Sequence, residues 1–322
     1  MLNKLSLLAA ASVVGLALTT PSLAETSEAQ LEYSVPSTLA TETLLLDSVQ
    51  LGNKLIAVGE FGHILTSTDR GETWTQAKVP SRATLTSISF FDENHGLAVG
   101  HDMKILRTED GGASWELVYS DPESEMPLLG VIYASADHAI VVGAFSSMLE
   151  SRDGGKTWEP RLLSPDSEDD YHLNDLFKGP SGAIYIPAEF GNVYRSTDNG
   201  ETFEALQTPY EGSFWGGMAL ANDAILVWGM RGNAYLSEDR GKSWIKAVTN
   251  TDRSISGGIQ LEDGRIVLTG LSGLVLVSSD GGKTFTETVR EDRNSFAQVA
   301  PGPDAQTVWL LGDPGIRRQK LD

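Results

Sequence analysis

No cysteine occurs in the 322 residues. That excludes a thiol nucleophile, a cysteine zinc site, a disulfide and a lipid anchor on cysteine, so the fold must rest on its core alone. Positive charge is also scarce, with 24 Lys+Arg against 44 Asp+Glu and a net charge of −20. A field of that sign repels phosphate backbones and anionic membrane surfaces, so no nucleic-acid partner is expected. Only five histidines occur (His63, His95, His101, His138 and His172), and no two have helix-type metal spacing. Neither a metal nor a cofactor is expected. Long apolar runs are missing beyond residue 24, so the mature chain should have no membrane span. The first 24 residues themselves read as a signal peptide: Lys4, then an apolar stretch from Leu5 to Leu18, then small residues in Ser22-Leu23-Ala24. Cleavage after Ala24 would leave residues 25–322 as a periplasmic or secreted domain.

What the chain does have is a repeat. The octapeptide Ser/Thr-x-Asp-x-Gly-x-Thr/Ser-Trp/Phe recurs six times, with aspartates at Asp69, Asp110, Asp153, Asp198, Asp239 and Asp280. Successive spacings are 41, 43, 45, 41 and 41 residues. Before each copy stands a short β-branched run closed by glycine, such as Leu55-Ile-Ala-Val-Gly59 or Ala139-Ile-Val-Val-Gly143, then a turn and a second apolar run. These read as strand, turn, strand, with a further strand upstream and another opened by the aromatic residue. Four antiparallel strands in a period near 42 residues define a propeller blade. The octapeptide has a structural purpose: Asp accepts hydrogen bonds from its own turn, Gly supplies a positive φ, and the aromatic residue folds under into the core. Six equivalent aspartates in such a turn are scaffold.

A seventh unit starts at Ser295, carries the lead-in Thr307-Val-Trp-Leu-Leu-Gly312 and a third strand through Ile316 to Gln319, and then ends without an octapeptide. The expected fold is therefore all-β: a seven-bladed propeller of four-stranded antiparallel blades. Leu31 to Val35 are expected to supply the missing outer strand of blade seven, so that an N-terminal strand closes the ring and no edge stays open.

At these octapeptides the chain resembles the Asp-box (BNR) repeat propellers. The segment Ile88-Ser-Phe-Phe-Asp-Glu-Asn-His-Gly-Leu-Ala-Val-Gly100 is similar to the blade entry of the photosystem II assembly and stability factors and their relatives in non-photosynthetic bacteria. The resemblance runs from about Leu39 to Lys320. It implies a non-catalytic accessory protein that helps build or stabilise a membrane-associated complex. Sialidases also carry Asp boxes, but the Arg-Ile-Pro segment they show near the N-terminus is missing here. Glycanases of this kind pair two propellers around a cleft, and this chain has one.

Propeller topology places the boxes, which join strands three and four, on one face. The loops from strand two to three, and from blade to blade, lie on the other face around the channel mouth, and repeat scaffolds put functional loops on one face. The two-to-three turns carry Glu60, Phe61, His101, Phe145, Glu189, Phe190 and Arg231. Turn chemistry does not need phenylalanine, so Phe61, Phe145 and Phe190 form either a ring of apolar contacts for a partner or packing onto neighbouring blades. The inter-blade connections add Arg82, His172, Tyr210, Phe214, Trp215, Arg253 and Arg293, among which arginines beside aromatics suit a carboxylate or an acidic segment. The acidic insertion 164–171 lacks the spacing of a calcium loop and reads as solvated charge. The reading is an exported binding protein with a protein partner in the cell envelope. A small-molecule or glycan ligand is the alternative, as in a glycan-active enzyme at the mouth, for which Glu60 and Glu189 are the well-placed pair.

Overall fold

The computed structural model describes residues 32–124, 126–163 and 170–321. The expected signal peptide, Leu31 and the insertion residues 164–169 lie outside these. The described chain forms seven antiparallel sheets, six of four strands and one of three. Blade one comprises Leu45–Leu51, Lys54–Gly59, Ile64–Ser67 and Thr75–Gln76, and blade two starts at Leu85–Phe90. Blades three to six have inner strands Leu128–Tyr133, Phe177–Lys178, Phe214–Ala219 and Ile255–Gln260. Blade seven has Phe296–Pro301, Thr307–Gly312 and Gly315–Lys320 alone. The inner strand of each blade touches the inner strands of both neighbours, and the last touches the first.

Each blade is covered on both faces by its neighbours, which is why the second strands read as unbroken apolar runs rather than alternating ones. Residues 55–59, 96–100, 139–143, 225–229 and 266–270 are buried throughout. The glycine that closes each run is required by a close approach. A Cβ at Gly59 would stand 2.0 Å from the Leu44 carbonyl oxygen, at Gly100 2.0 Å from that of Thr84, and at Gly270 2.1 Å from that of Ser254. In each case the connection entering the inner strand passes directly over the glycine.

The box geometry repeats from blade to blade. Ser67 Oγ–H donates to Asp69 Oδ1 at 2.7 Å, while Gly71 N–H donates to Ser67 Oγ at 2.7 Å. Thr73 donates twice to the same carboxylate, from its N–H to Oδ1 at 2.9 Å and from its hydroxyl to Oδ2 at 2.6 Å. Asp110, Asp153, Asp198, Asp239 and Asp280 repeat both bonds with Ser114, Thr157, Thr202, Ser243 and Thr284. The Thr73 hydroxyl, then its N–H and the Ser67 hydroxyl, hold Asp69 down at about 2.

The N-terminal strand expected to close blade seven does not form from the described residues. Glu32 to Ser37 lie instead along blade one. Ser34 N–H donates to the Val79 carbonyl at 2.8 Å, and the Gln76 side chain bridges Val35 O and Ser37 N–H at 3.0 and 2.9 Å. Arg82 Nε–H donates to Tyr33 O at 2.8 Å, and the Lys78 ammonium sits 4.3 Å from the centre of the Tyr33 ring. These partners satisfy the segment away from blade seven, and Pro36 could not donate to a ladder in any case. Thr41 and Glu42 then take the place of the seventh connection, since a Cβ at Gly315 would meet Thr41 O at 1.9 Å. Side-chain packing closes the ring. Trp309 of blade seven, with Ala300 and Leu311, shares one core with Leu45, Leu55 and Leu65 of blade one, and its indole N–H donates to Arg70 O at 2.8 Å.

Candidate binding face at the channel mouth

Phe61, Asp102, Phe145, Phe190, Arg231 and Ser272 occupy one equivalent turn position in six blades, and all six have φ between 52° and 58°. This left-handed conformation costs an ordinary L-residue about 1–2 kcal/mol, and a bulky side chain there is unusual. Glycine follows in four of these turns for a separate reason: at Gly62, Gly191 and Gly232 a Cβ would stand about 2 Å from a carbonyl oxygen of the adjoining connection. The strained residue itself faces no such restriction and points away from the blade. Phe61, Phe145 and Phe190 are 56%, 57% and 64% exposed.

Two of the three phenylalanines belong to one aromatic run. The Phe145 ring lies edge-on to His172 at 4.7 Å between centroids, and Phe190 lies against Tyr171 at 5.1 Å. Tyr171 and His172 adjoin in the connection from blade three to blade four, so the run crosses both blades. His172 is fixed from two sides: its Nδ1 accepts the Phe145 N–H at 3.0 Å, and its own N–H donates to Glu189 Oε2 at 2.9 Å. Phe61 stands in another sector, against His63 at 5.8 Å. Each phenylalanine rests on a local aromatic residue while keeping more than half its surface free.

The charged candidates divide. Arg82 is tied to Tyr33 O, and Arg253 pairs with Glu287 at 2.8 Å. Arg231 and Arg293 are exposed, both at positive φ, and neither guanidinium has a partner among the described residues. Glu60 mirrors Glu189: its Oε1 accepts the Leu44 N–H at 2.9 Å. Each of the two glutamates thus has one carboxylate oxygen holding an incoming connection. His101 is exposed on the second turn, and Trp215 is half-buried at a bulge at the start of the fifth inner strand. Phe214 belongs to the core instead, fully buried and packed on Tyr210 and Tyr235 at 5.0 and 6.0 Å.

Below the mouth, the channel holds two carboxylates that the loop reasoning passed over. Asp47 accepts from Ile88 N–H at 2.9 Å and from the side chains of Ser87 and Gln298, both at 3.1 Å. Asp175 accepts from Leu176 N–H at 2.7 Å and Gly217 N–H at 3.1 Å. Each ties its own inner strand to the next. Burial pushes Asp175 up to about 7, with the charge of Asp47 adding to it against the two N–H groups, and burial raises Asp47 as well. The signal in the sequence was positional: both stand two residues after a buried leucine at the entry to a blade, Leu45 at the start of the first inner strand and Leu173 ahead of the fourth, where it bridges to Ala188. Among the described residues, no group of three or more acidic or histidine side chains is placed to hold a metal ion.

These features define a class, the seven-bladed Asp-box propellers with a scaffold face of boxes and an opposite face of displayed turns. Within it, residues 65–129 and 121–267 match the sequence model of the Photosynthesis system II assembly factor YCF48 family, which is more than half of the chain, and the chain belongs to that family. It is 40% identical over 142 residues to the photosystem II assembly lipoprotein Ycf48 of Prochlorococcus marinus, covering 44% of this chain and 42% of the relative. The chain spans less than half the length of the curated relatives it matches. A structure of YCF48 bound to D1 peptide superposes with TM-score 0.70 at 19% identity, covering 90% of this chain and 96% of that one. Virginiamycin B lyase from Staphylococcus aureus superposes with TM-score 0.73 at 11% identity, covering 90% and 99%. At such identities both likenesses concern the fold alone.

Proposed function

We propose that this chain is an exported, non-catalytic accessory factor that holds a protein partner of the cell envelope on its mouth face during assembly or stabilisation of a complex. The observation that carries the reading is the set of exposed phenylalanines on left-handed turns, Phe145 and Phe190 in one aromatic run and Phe61 at the equivalent position of another sector. Strain of about 1–2 kcal/mol at each of three equivalent positions destabilises the fold and is retained where the side chain serves something outside it. Membership of an assembly-factor family supports the same reading. YCF48 itself holds a peptide in one solved structure. Aromatic and arginine side chains are the residue types that anchor protein interfaces, and Arg231 and Arg293 supply unpaired positive charge on a chain of −20. Export rests on Lys4, the apolar stretch to Leu18 and the small residues ending at Ala24, and a relative named as a lipoprotein is consistent with it. No helix among the described residues is long and apolar enough to cross a membrane.

The experiment is affinity capture of the tagged chain from the envelope fraction, with each co-purifying chain identified and titrated against the purified protein. A partner that binds the wild type, and that Arg231→Glu releases mainly through slower association at low salt, supports the reading. Turnover of a glycan by the purified chain, with no chain captured, overturns it.

A further inference from the structure

Among the described residues the seventh blade has three strands where the others have four, and its outer strand Gly315–Lys320 is a sheet edge. Leu321 N–H donates inward to Gln306 O, so by alternation the backbone groups of Ile316, Arg318 and Lys320 face outward. Their carbonyls are met only by side chains: Arg317 on Ile316 O at 2.8 Å, Arg290 on Arg318 O at 3.4 Å, and Gln319 on Lys320 O at 2.6 Å. Their three N–H groups have no partner among the described residues. In blade six the corresponding strand, Leu274–Ser278, is paired along its length by Thr286–Val289. Beside the open edge runs a groove of about 460 Å³ walled by Thr41, Glu72, Trp74, Trp309 and Ile316.

We propose that this edge accepts an extended acidic segment of a partner chain as a fourth strand, antiparallel to Gly315–Lys320, with apolar residues alternating with carboxylates. The backbone geometry supplies three donors in the ladder direction, and strand addition of this kind draws affinity from the main chain and specificity from alternate side chains. Charge selects the occupant. Arg317, Arg318 and Lys320 make the edge basic on a strongly acidic protein, and Arg290 stands beside it. Arg317, on the face opposite Trp309 by alternation, pairs with Glu42, and Arg290 beside it pairs with Asp292, surface ion pairs worth about 0–1 kcal/mol that carboxylates arriving on that face can replace. Arg318 lies on the Trp309 face, over the indole ring and paired with Glu72. Lys320 has no ion-pair partner among the described residues. A second copy of this chain is disfavoured, because pairing edge to edge would set these basic residues against each other. Basic residues also guard edges against aggregation. Trp74 and Ile316, both half-buried in the adjoining groove, are what a guard would not need, and they are the seat for the alternate apolar residues. The site lies on the rim and is independent of the mouth reading.

The test uses the purified chain and a capped octapeptide of alternating Glu and Val, followed by fluorescence anisotropy and by amide exchange at Ile316, Arg318 and Lys320. Saturable binding that protects those three amides is expected. N-methylation of alternate peptide amides should weaken it about tenfold or more, a Lys–Val peptide should not bind, and Phe145→Ser with Phe190→Ser should leave it unchanged. Arg318→Pro removes an outward N–H that the sheet does not use, together with the guanidinium over the Trp309 ring, whereas Arg318→Ala removes the guanidinium alone, so binding should fall further for proline than for alanine with both variants folded. If the proline variant unfolds, the N-methylated peptide decides. Equal binding of the N-methylated or the basic peptide overturns the proposal. So does protection of the three amides in the free protein, which would mean that the chain's own residues or a second copy already cover the edge.

Discussion

Replacing Trp309 by alanine removes the side chain on which ring closure depends. Trp309 is 8% exposed, packs in one core with Leu45 and Leu55 of the first blade, and donates its indole N–H to Arg70 O. Its ring lies so close over Gly71 that a Cβ there would stand 2.3 Å from the indole nitrogen. The substitution therefore opens a cavity at the seam, costing about 3–5 kcal/mol, and strips the Arg70 carbonyl of its donor, costing about 1 kcal/mol more. For a domain of this size each kcal/mol lowers Tm by about 2 °C, so a fall of roughly 8–12 °C is expected. Deleting residues 32–36 removes part-exposed hydrogen bonds on blade one and should cost about 1–2 kcal/mol, or roughly 2–4 °C. Calorimetry on both variants at one concentration reads the difference. If Trp309→Ala melts within about 2 °C of wild type while the truncation costs more, the ring is held by its N-terminal segment and closure by packing is wrong.

Asp175 has a pKa of about 7 in the fold against an ordinary 3.8. Between those values the folded chain keeps a proton that the unfolded chain has released, so its contribution to stability falls as pH rises through that window and is level above it. Asp175→Asn should flatten that slope and melt higher than wild type at neutral pH; thermal melts against pH check this, and an unchanged slope refutes it. Asp69 works in the opposite sense, since its pKa of about 2 lies below 3.8 and its stabilisation is lost as pH falls through that interval. Asp153→Ala leaves turn N–H groups unpaired at a cost of about 1–3 kcal/mol, and Trp158→Ala costs about 3–5 kcal/mol through a cavity; urea midpoints at constant m-value measure both. Phe190→Gly relieves the left-handed strain and loses one aromatic contact, so stability should stay level or rise by up to about 1 kcal/mol. A marked loss of stability would show the ring to be a packing element.

The blades were legible because their causes are local. The octapeptide carries its own hydrogen bonds, and runs such as Leu55 to Gly59 are apolar because both faces of a blade are covered. The phenylalanine positions could be read from the same register, which is why Phe61, Phe145 and Phe190 fall on one equivalent turn residue. Phe214 looked like a loop residue because it follows a turn-rich connection, but the inner strand already begins there and drives its side chain between blades. The path of Glu32 to Ser37 was not legible. Its residues alternate as an edge strand would, and only the folded arrangement of Gln76, Val79 and Arg82 supplies partners that draw it onto blade one. Asp47 and Asp175 read as ordinary polar positions at blade entries, because the N–H groups that make each of them a tie, those of Ile88 and Gly217, belong to the next blade.

The most direct test of the mouth face is quantitative capture of envelope proteins on three baits: wild type, Phe145→Ser with Phe190→Ser, and Asp153→Ala, each normalised to folded protein. A partner bound at the mouth is recovered equally by wild type and the box variant. On the double variant its recovery falls sharply, since losing an anchor costs about 2 kcal/mol or more, roughly thirtyfold in affinity. Full recovery on the double variant with Tm unchanged, or loss on Asp153→Ala alone, contradicts a mouth site and moves the binding surface to the box face or the rim.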